Sequence, residues 1–265
     1  MSSYDNTDLY DDIFNYMRPD FNFVWATLEI LSPRTIAEHG AGTGRLLPLY
    51  LATDAKKITG LDLEQNMVDA FRKKGDTRVE AYCADLRIAT DKLVDADLLV
   101  ITSSLMKHIH PDEISSVWKA LYDSIADDTI IFIDHSEFVY GKPVSTDWVS
   151  YYDTLKYWWA EEHRCYLKDY FWKKEVTKTT DSLFYRKASS EDMAVVNSYI
   201  YSTDKLEEQL TACGFKHQMI SDSFAKTMQI EGNKRFIGLA TKKTDIDLTD
   251  LCSQIRELAL GRCTP

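Results

Sequence analysis

The sequence predicts an α/β fold: a doubly wound, mostly parallel sheet of about seven strands, closed by an antiparallel terminal hairpin and interrupted by an aromatic-rich insertion. Three observations predict it. From Ser32 to Phe138 short apolar runs alternate with longer amphipathic stretches, the signature of βαβ units. One of those runs, Thr35-Ile36-Ala37-Glu38, passes directly into the glycine-rich stretch His39-Gly40-Ala41-Gly42-Thr43-Gly44 and then into a helical pattern. After Tyr201 the helix–strand rhythm resumes and ends in two strand-like runs placed to pair as a hairpin.

The elements follow in order. Residues 1–31 read as an N-terminal helical cover, in which Tyr10, Phe14 and Met17 share a face at i, i+4, i+7. Strands are expected at about Thr35–Glu38, Lys57–Asp62, Val79–Ala84, Ala96–Thr102 and Thr129–Asp134. Helices fall between them at roughly Arg45–Ala52, Glu64–Lys74 and Asp112–Ile125, the last preceded by Pro111, which suits a first helical position. A further helix, Thr203–Cys213, is closed by Gly214, and strands follow near Lys216–Ser221 and Arg235–Lys242. Residues 245–265 hold a last amphipathic helix, Leu248–Leu260, outside the basic sheet.

Residues 138–201 break the rhythm: they contain half of the 32 aromatic side chains and balance acidic against basic residues. They read as a lid inserted over the sheet's ligand edge, with a helix at Thr146–Glu161 and strands at Lys174–Lys187 and Met193–Ser202.

Length and composition bound the rest. A chain of 265 residues suits a single α/β domain, 1–265, with an insertion. No run approaches the ~20 apolar residues that span a bilayer, and the acidic N-terminus lacks the basic start of a secretory signal. The expectation is a cytoplasmic protein without a membrane partner. Five scattered cysteines suggest reduced, mostly buried thiols. A net charge of −11 argues against nucleic acid, whose non-specific binding needs concentrated Lys and Arg.

The glycine spacing decides between cofactors. Dinucleotide sites use GxGxxG, whereas Gly40, Gly42 and Gly44 give GxGxG, and Arg45 stands where the third dinucleotide glycine would fall. Glu38-x-Gly40-x-Gly42-x-Gly44 after a first strand resembles the first motif of class I S-adenosylmethionine (SAM) dependent methyltransferases, which have a Rossmann-like fold. The resemblance continues at later strand ends: Gly60-Leu61-Asp62-Leu63-Glu64, Ala84-Asp85-Leu86 and Ile101-Thr102-Ser103-Ser104-Leu105.

The resemblance implies SAM as methyl donor and S-adenosylhomocysteine (SAH) as product. It implies that Glu38 helps place the ammonium of the SAM tail and that Gly40, Ala41, Gly42, Gly44 and Arg45 form the turn beneath it. Asp62 would accept from both ribose hydroxyls, with Leu63 and Met67 beside it; Asp85 and Leu86 would contact adenine, and Ser103 would line the donor pocket. Each acid also has a plainer role open to it: Glu38 as a surface carboxylate, Asp62 as a strand-end turn former, Asp85 as a helix cap.

For the acceptor side, methyl transfer needs near-attack geometry and, for a nucleophile carrying hydrogen, a base. Leu9-Tyr10-Asp11-Asp12 resembles the N-terminal helix of small-molecule N-methyltransferases, which would place Tyr10 against the SAM carboxylate or the acceptor; otherwise Tyr10 belongs to a core-facing stripe. His108 is the candidate base, with a solvent-facing loop histidine as the alternative, and His110 could serve only as a cap. His135, as a further catalytic candidate, and Glu137 follow the fifth strand at the same edge. Trp148, Tyr152 and Trp159 of the insertion would hold an apolar or amine acceptor, unless they form a lid core or a homodimer interface. No metal is expected, since His108-x-His110 has no clear third ligand.

The expected function is transfer of a methyl group from SAM to a small-molecule amine, of a specialised metabolite, sugar or amino acid. O- or C-methylation of a phenolic or other metabolite, and SAM binding without methyl transfer, are the alternatives.

Overall fold

The structure is a computed structural model, described over residues 7–14, 20–87, 95–103, 105–138, 147–150, 169–189, 193–220 and 233–261. Its main sheet has seven strands: β1 (Thr35–His39), β2 (Lys57–Asp62), β3 (Val79–Cys83), β4 (Leu98–Ile101), β5 (Ile130–Phe138), β10 (Lys216–Ile220) and β11 (Asn233–Thr241). They lie in the order β10-β11-β5-β4-β1-β2-β3. The five strands β1 to β5 are parallel, and β10 and β11 form an antiparallel hairpin against β5. The expected fold class and terminal hairpin are therefore present.

The continuous apolar runs have a direct cause. A parallel sheet is buried on both faces, so consecutive residues enter different cores. Along β4, Leu98 and Val100 join Ile36, Ile58 and Phe132 on one face, whereas Leu99 and Ile101 join Leu61, Ile131 and Ile133 on the other. The first face is covered by α2 (Phe21–Leu31), α3 (Leu47–Leu51), α4 (Gln65–Lys74) and α7 (Leu248–Gly261). The second is covered by α5 (Pro111–Ser124) and α6 (Thr203–Ala212). Helix α7 docks on its own chain, burying Leu248, Cys252, Ile255 and Ala259 in the core that holds Phe23 and Leu28 of α2.

Local punctuation follows the sequence. Pro111 opens α5, and His110 does cap it, Nδ1 accepting from the Asp112 amide at 3.3 Å. Ser202 caps α6 by accepting from the Lys205 amide at 3.2 Å, and Gly214 follows that helix at φ 93°. Among the described cysteines, Cys252 is buried, Cys213 half-buried and Cys83 exposed, so the expectation of mostly buried thiols does not hold.

The insertion departs from expectation. Its described residues form a separate antiparallel sheet, β6 (Val149–Ser150), β7 (Tyr170–Val176), β8 (Thr180–Lys187) and β9 (Met193–Tyr199), in sequential order. Val149 and Ser150, expected in a helix, pair with Trp172 and Phe171 as strand, and residues 151–161 of that segment lie outside the described residues. The single strand expected at Lys174–Lys187 is two strands joined at a turn. The Thr177 amide donates to the Thr180 carbonyl at 2.8 Å, and the Thr177 hydroxyl accepts from the Thr179 and Thr180 amides. Threonine favours strands yet also forms such side-chain turns, which hid the bend. A third small core of Tyr170, Tyr185 and Ala194 packs against Leu9 and Phe14 of α1 (Thr7–Phe14), joining the inserted sheet to the N-terminal cover. Among the described residues no helix is long and apolar enough to cross a membrane.

Candidate functional site

Where the strand order reverses, between β1 and β4, loops at the strands' carboxyl ends part and leave a crevice. A cavity of about 250 Å³ opens there.

Its floor is the glycine turn. Gly40, Gly42 and Gly44 take φ values of 64°, 55° and 87°, which L side chains rarely adopt. The turn is tied to β2: the Ala41 amide donates to the Leu61 carbonyl at 2.9 Å and the Gly42 amide to Asp62 Oδ2 at 2.8 Å. Asp62 Oδ1 also accepts from the Glu64 amide at 3.0 Å. Burial raises the Asp62 carboxyl above its usual range, opposed by these backbone donors. Asp62 is thus both the turn former and a cavity wall.

Most of the expected cofactor residues meet here. Gly40, Gly42, Asp62, Leu63, Met67, Asp85, Leu86 and Ser103 all line the cavity. Leu63 is 60% exposed, an open apolar surface beside the Asp62 carboxylate. Asp85 is clamped by Arg87, whose Nε and Nη2 donate at 2.9 and 2.6 Å, and Arg87 also reaches Glu113 of α5 at 3.3 Å. Ser103 sits in the left-handed region at φ 55°, its amide donating to Asp134 Oδ2 at 2.8 Å.

Tyr10 also lines the cavity. A Cβ on Gly42 would lie 3.6 Å from its hydroxyl, so the ring covers the turn. Asp11 holds α1 in place by accepting from the Thr43 hydroxyl and pairing with Lys74 at 2.7 Å. The core-stripe reading of Tyr10 holds as well: its ring packs on Phe14 at 4.6 Å, and Phe14 meets Tyr185 edge-on. Met17 lies outside the described residues.

His108 is on the wall, at the end of the 3-10 turn Leu105–His108. Its Nδ1 is 3.0 Å from the Asn197 carbonyl of β9. A carbonyl only accepts, so Nδ1 carries the hydrogen and Nε2 carries the lone pair of the neutral ring. Surrounding protein depresses the imidazole below its ordinary pKa by desolvation, outweighing the Asn197 hydrogen bond, although the ring remains open to the cavity.

Other expected site residues stand elsewhere. Glu38 is no surface carboxylate: it is buried, beside Arg45 and Tyr50, and desolvation pushes its carboxyl up to about 8. Arg45 forms a two-point ion pair with Asp20, 2.6 Å at each contact, and touches Ser103 Oγ at 3.2 Å. Among the described cavity-lining residues neither Glu38 nor Arg45 appears; Ala41 and Gly44 are absent too, Gly44 being packed against Phe71. His39, the neighbour of Glu38 on β1, lines the cavity instead.

His135 is corrected from a catalytic candidate to a buried histidine. Nε2 is bonded to the Tyr201 carbonyl at 2.9 Å and burial lowers its pKa to about 4, because the strand turns this side chain into the α6 side of the sheet. Glu137 accepts from the Thr203 amide at 3.3 Å at the start of α6 rather than lining the described cavity. Trp148 lies on the inserted sheet under the cations of Arg186 (4.7 Å) and Lys173 (5.8 Å). Tyr152 and Trp159 fall outside the described residues. Sequence reasoning missed Arg87, Ile109 and Glu113 as cavity residues; Arg87, two positions after Asp85, carried the one usable signal.

Chemically, the wall is acidic, with Asp62, Glu64, Asp85 and Glu113 against Arg87. That arrangement suits a cationic ligand with a diol. Among the described residues no group of three or more His, Cys, Asp or Glu side chains could hold a metal ion.

Comparison with known proteins agrees with this geometry. Residues 36–128 match the family described as a methyltransferase domain. The fold is similar to a SAM-dependent methyltransferase from Clostridium acetobutylicum ATCC 824, at 13% identity and TM-score 0.62 over 88% of this chain and 96% of that one. It is similar to SAM-bound CalS10, an amino pentose methyltransferase of calicheamicin biosynthesis from Micromonospora echinaspora, at 12% identity and TM-score 0.59 over 83% and 92%. It is also similar to KedS8, a sugar N-methyltransferase from Streptoalloteichus sp ATCC 53650, at 13% identity and TM-score 0.61 over 88% and 92%. No curated protein sequence matches the chain.

Proposed function

We propose that the chain is a class I SAM-dependent methyltransferase and that it methylates a small-molecule amine with His108 as the base. The observation that carries this reading is the His108 tautomer on the cavity wall, since an Nδ1–H donated to Asn197 makes Nε2 the basic nitrogen of the neutral ring. The nitrogen preference draws on the Tyr10-Asp11 helix over the glycine turn and on the fold shared with sugar N-methyltransferases.

The cavity's residues fit the cofactor. The acidic wall matches a sulfonium cation, and the Asp62 carboxylate on that wall matches ribose hydroxyls. Leu63, Met67 and Leu86 offer apolar surface for adenine, with Asp85 to accept from its amino group. Tyr10 closes over the tail. Bound there, SAM supplies an electrophilic methyl group. The chain's own part is to exclude water with Tyr10, Leu105 and Ile109, to orient the amine, and to take its proton on His108 Nε2. We assign Glu38 and Arg45 to support of the turn from behind, through the Asp20 pair, and Trp148 to the inserted sheet that borders the acceptor side.

The test is a mass-spectrometric screen of amino sugars, amino acids and phenols with SAM. A gain of one methyl on an amine, abolished in His108→Ala with SAM affinity retained, is the expected result. Methylation of phenols alone would move the assignment to oxygen, and no transfer to any acceptor would favour SAM binding without turnover.

A further inference from the structure

The 3-10 turn that carries His108 is held from behind by the inserted sheet. Lys107, adjacent to His108, is 5% exposed and turns away from the cavity, its Nζ lying 3.4 Å from Asp181 Oδ2 on β8. Asp181 is 4% exposed. It also takes Lys174 of β7 at 2.8 Å and the Ser198 hydroxyl of β9 at 2.6 Å. Ser198 follows Asn197, whose carbonyl receives His108 Nδ1. Two successive residues of the turn therefore bind two successive residues of β9, one through Asp181 and one directly.

A buried ion pair is a poor source of stability but a good source of geometry, because a charge left without its partner in such a place is strongly penalised. We infer that Asp181 and Lys107 are positioning residues that fix the 3-10 turn, so that His108 stays on the cavity wall with its Nδ1–H on Asn197. The inserted sheet is then part of the catalytic apparatus as well as a cover. This inference rests on the reading of His108 as the base.

The charges around His108 give the inference a signed readout. Lys107 precedes it on the same turn, Asp181 and Lys174 face it from the inserted sheet, Glu113 from α5, and Asp85 with Arg87 from the loop after β3. Lys107 opposes protonation of His108 and Asp181 favours it, and burial holds the imidazole low. Lys107→Met removes a positive charge that opposes protonation, so the His108 pKa should rise. Asp181→Asn removes a negative charge that favours protonation, so the His108 pKa should fall.

The experiment uses the full chain, ¹⁵N-labelled at histidine and saturated with SAH. There are six histidines, and His108→Ala assigns the resonance. Imidazole ¹⁵N shifts report both tautomer and pKa without any acceptor. The expected result is an Nδ1–H tautomer in the wild type, mixed tautomers in both variants, and pKa displacements of opposite sign. A pure Nδ1–H tautomer with unmoved pKa in either folded variant would overturn the inference, as would displacements of the same sign. If one variant fails to fold, the other alone decides by the sign of its shift. The base reading fails separately, by continued methyl transfer in His108→Ala.

Discussion

Replacing Asp62 by alanine should separate a ligand-binding carboxylate from a structural one. In the free protein its oxygens already accept the Gly42 and Glu64 amides at 2.8 and 3.0 Å, so removal strips two charge-assisted hydrogen bonds from the glycine turn. At about 1.5 kcal/mol each, this lowers stability by about 3 kcal/mol and the melting temperature by roughly 6–12 °C for a chain of this size. On the proposed binding mode the same carboxylate would accept two ribose hydroxyls, whose loss would be worth a further ~3 kcal/mol, or more than about 100-fold in dissociation constant. Calorimetric titration with SAM and with SAH checks the number, after circular dichroism shows the variant folded. A SAM dissociation constant within about twofold of wild type in that folded variant refutes the reasoning and leaves Asp62 as a turn former only.

Four further outcomes follow from the same geometry. His108→Ala should lower turnover by about 10²–10⁴-fold while leaving SAM affinity within about threefold, since the residue is assigned to proton transfer; the two constants are read from steady-state kinetics and calorimetry. Glu38 holds its proton up to about pH 8 in the fold against 4.5 unfolded, so its raised pKa makes stability fall as pH climbs between those values. Thermal melts of Glu38→Gln should lose that component of the slope, and an identical slope in wild type and variant would discard it. On the acid side, His39 and His135 are buried neutral, with pKa values lowered to about 3 and 4 from 6.5. The unfolded chain therefore binds protons first, and stability should drop as pH falls below 6.5, less steeply in His135→Gln. Gly60→Ala should cost about 1–3 kcal/mol in denaturant melts, because its Cβ would lie 2.8 Å from the Phe71 ring, which is wedged in the core.

Most of the architecture is legible in the chain because its signals are local. Strand β2 runs over the predicted Lys57–Asp62, and Pro111 and Gly214 mark helix ends where expected. The glycine spacing and the acids at successive strand ends are equally local, since backbone sign and strand-end position belong to the sequence neighbourhood. Thr177 shows where locality misleads, one residue type serving both a strand and a turn.

What only the tertiary structure decided is which of two neighbouring side chains reaches the cavity and what neutralises the other. Glu38 and His39 alternate across β1, so a one-residue difference sends one carboxyl behind the sheet and one imidazole to the cavity. Arg45 finds Asp20 across 25 residues, Lys107 finds Asp181 across 74, and Arg235 finds Asp134 across 101. Such pairs form because a buried charge must meet its opposite, and the chain alone does not say which opposite will be brought near. The sequence therefore determined the fold, the glycine turn and the acids around it. Three-dimensional packing decided that His108 is anchored through Nδ1 and that the inserted sheet holds it there.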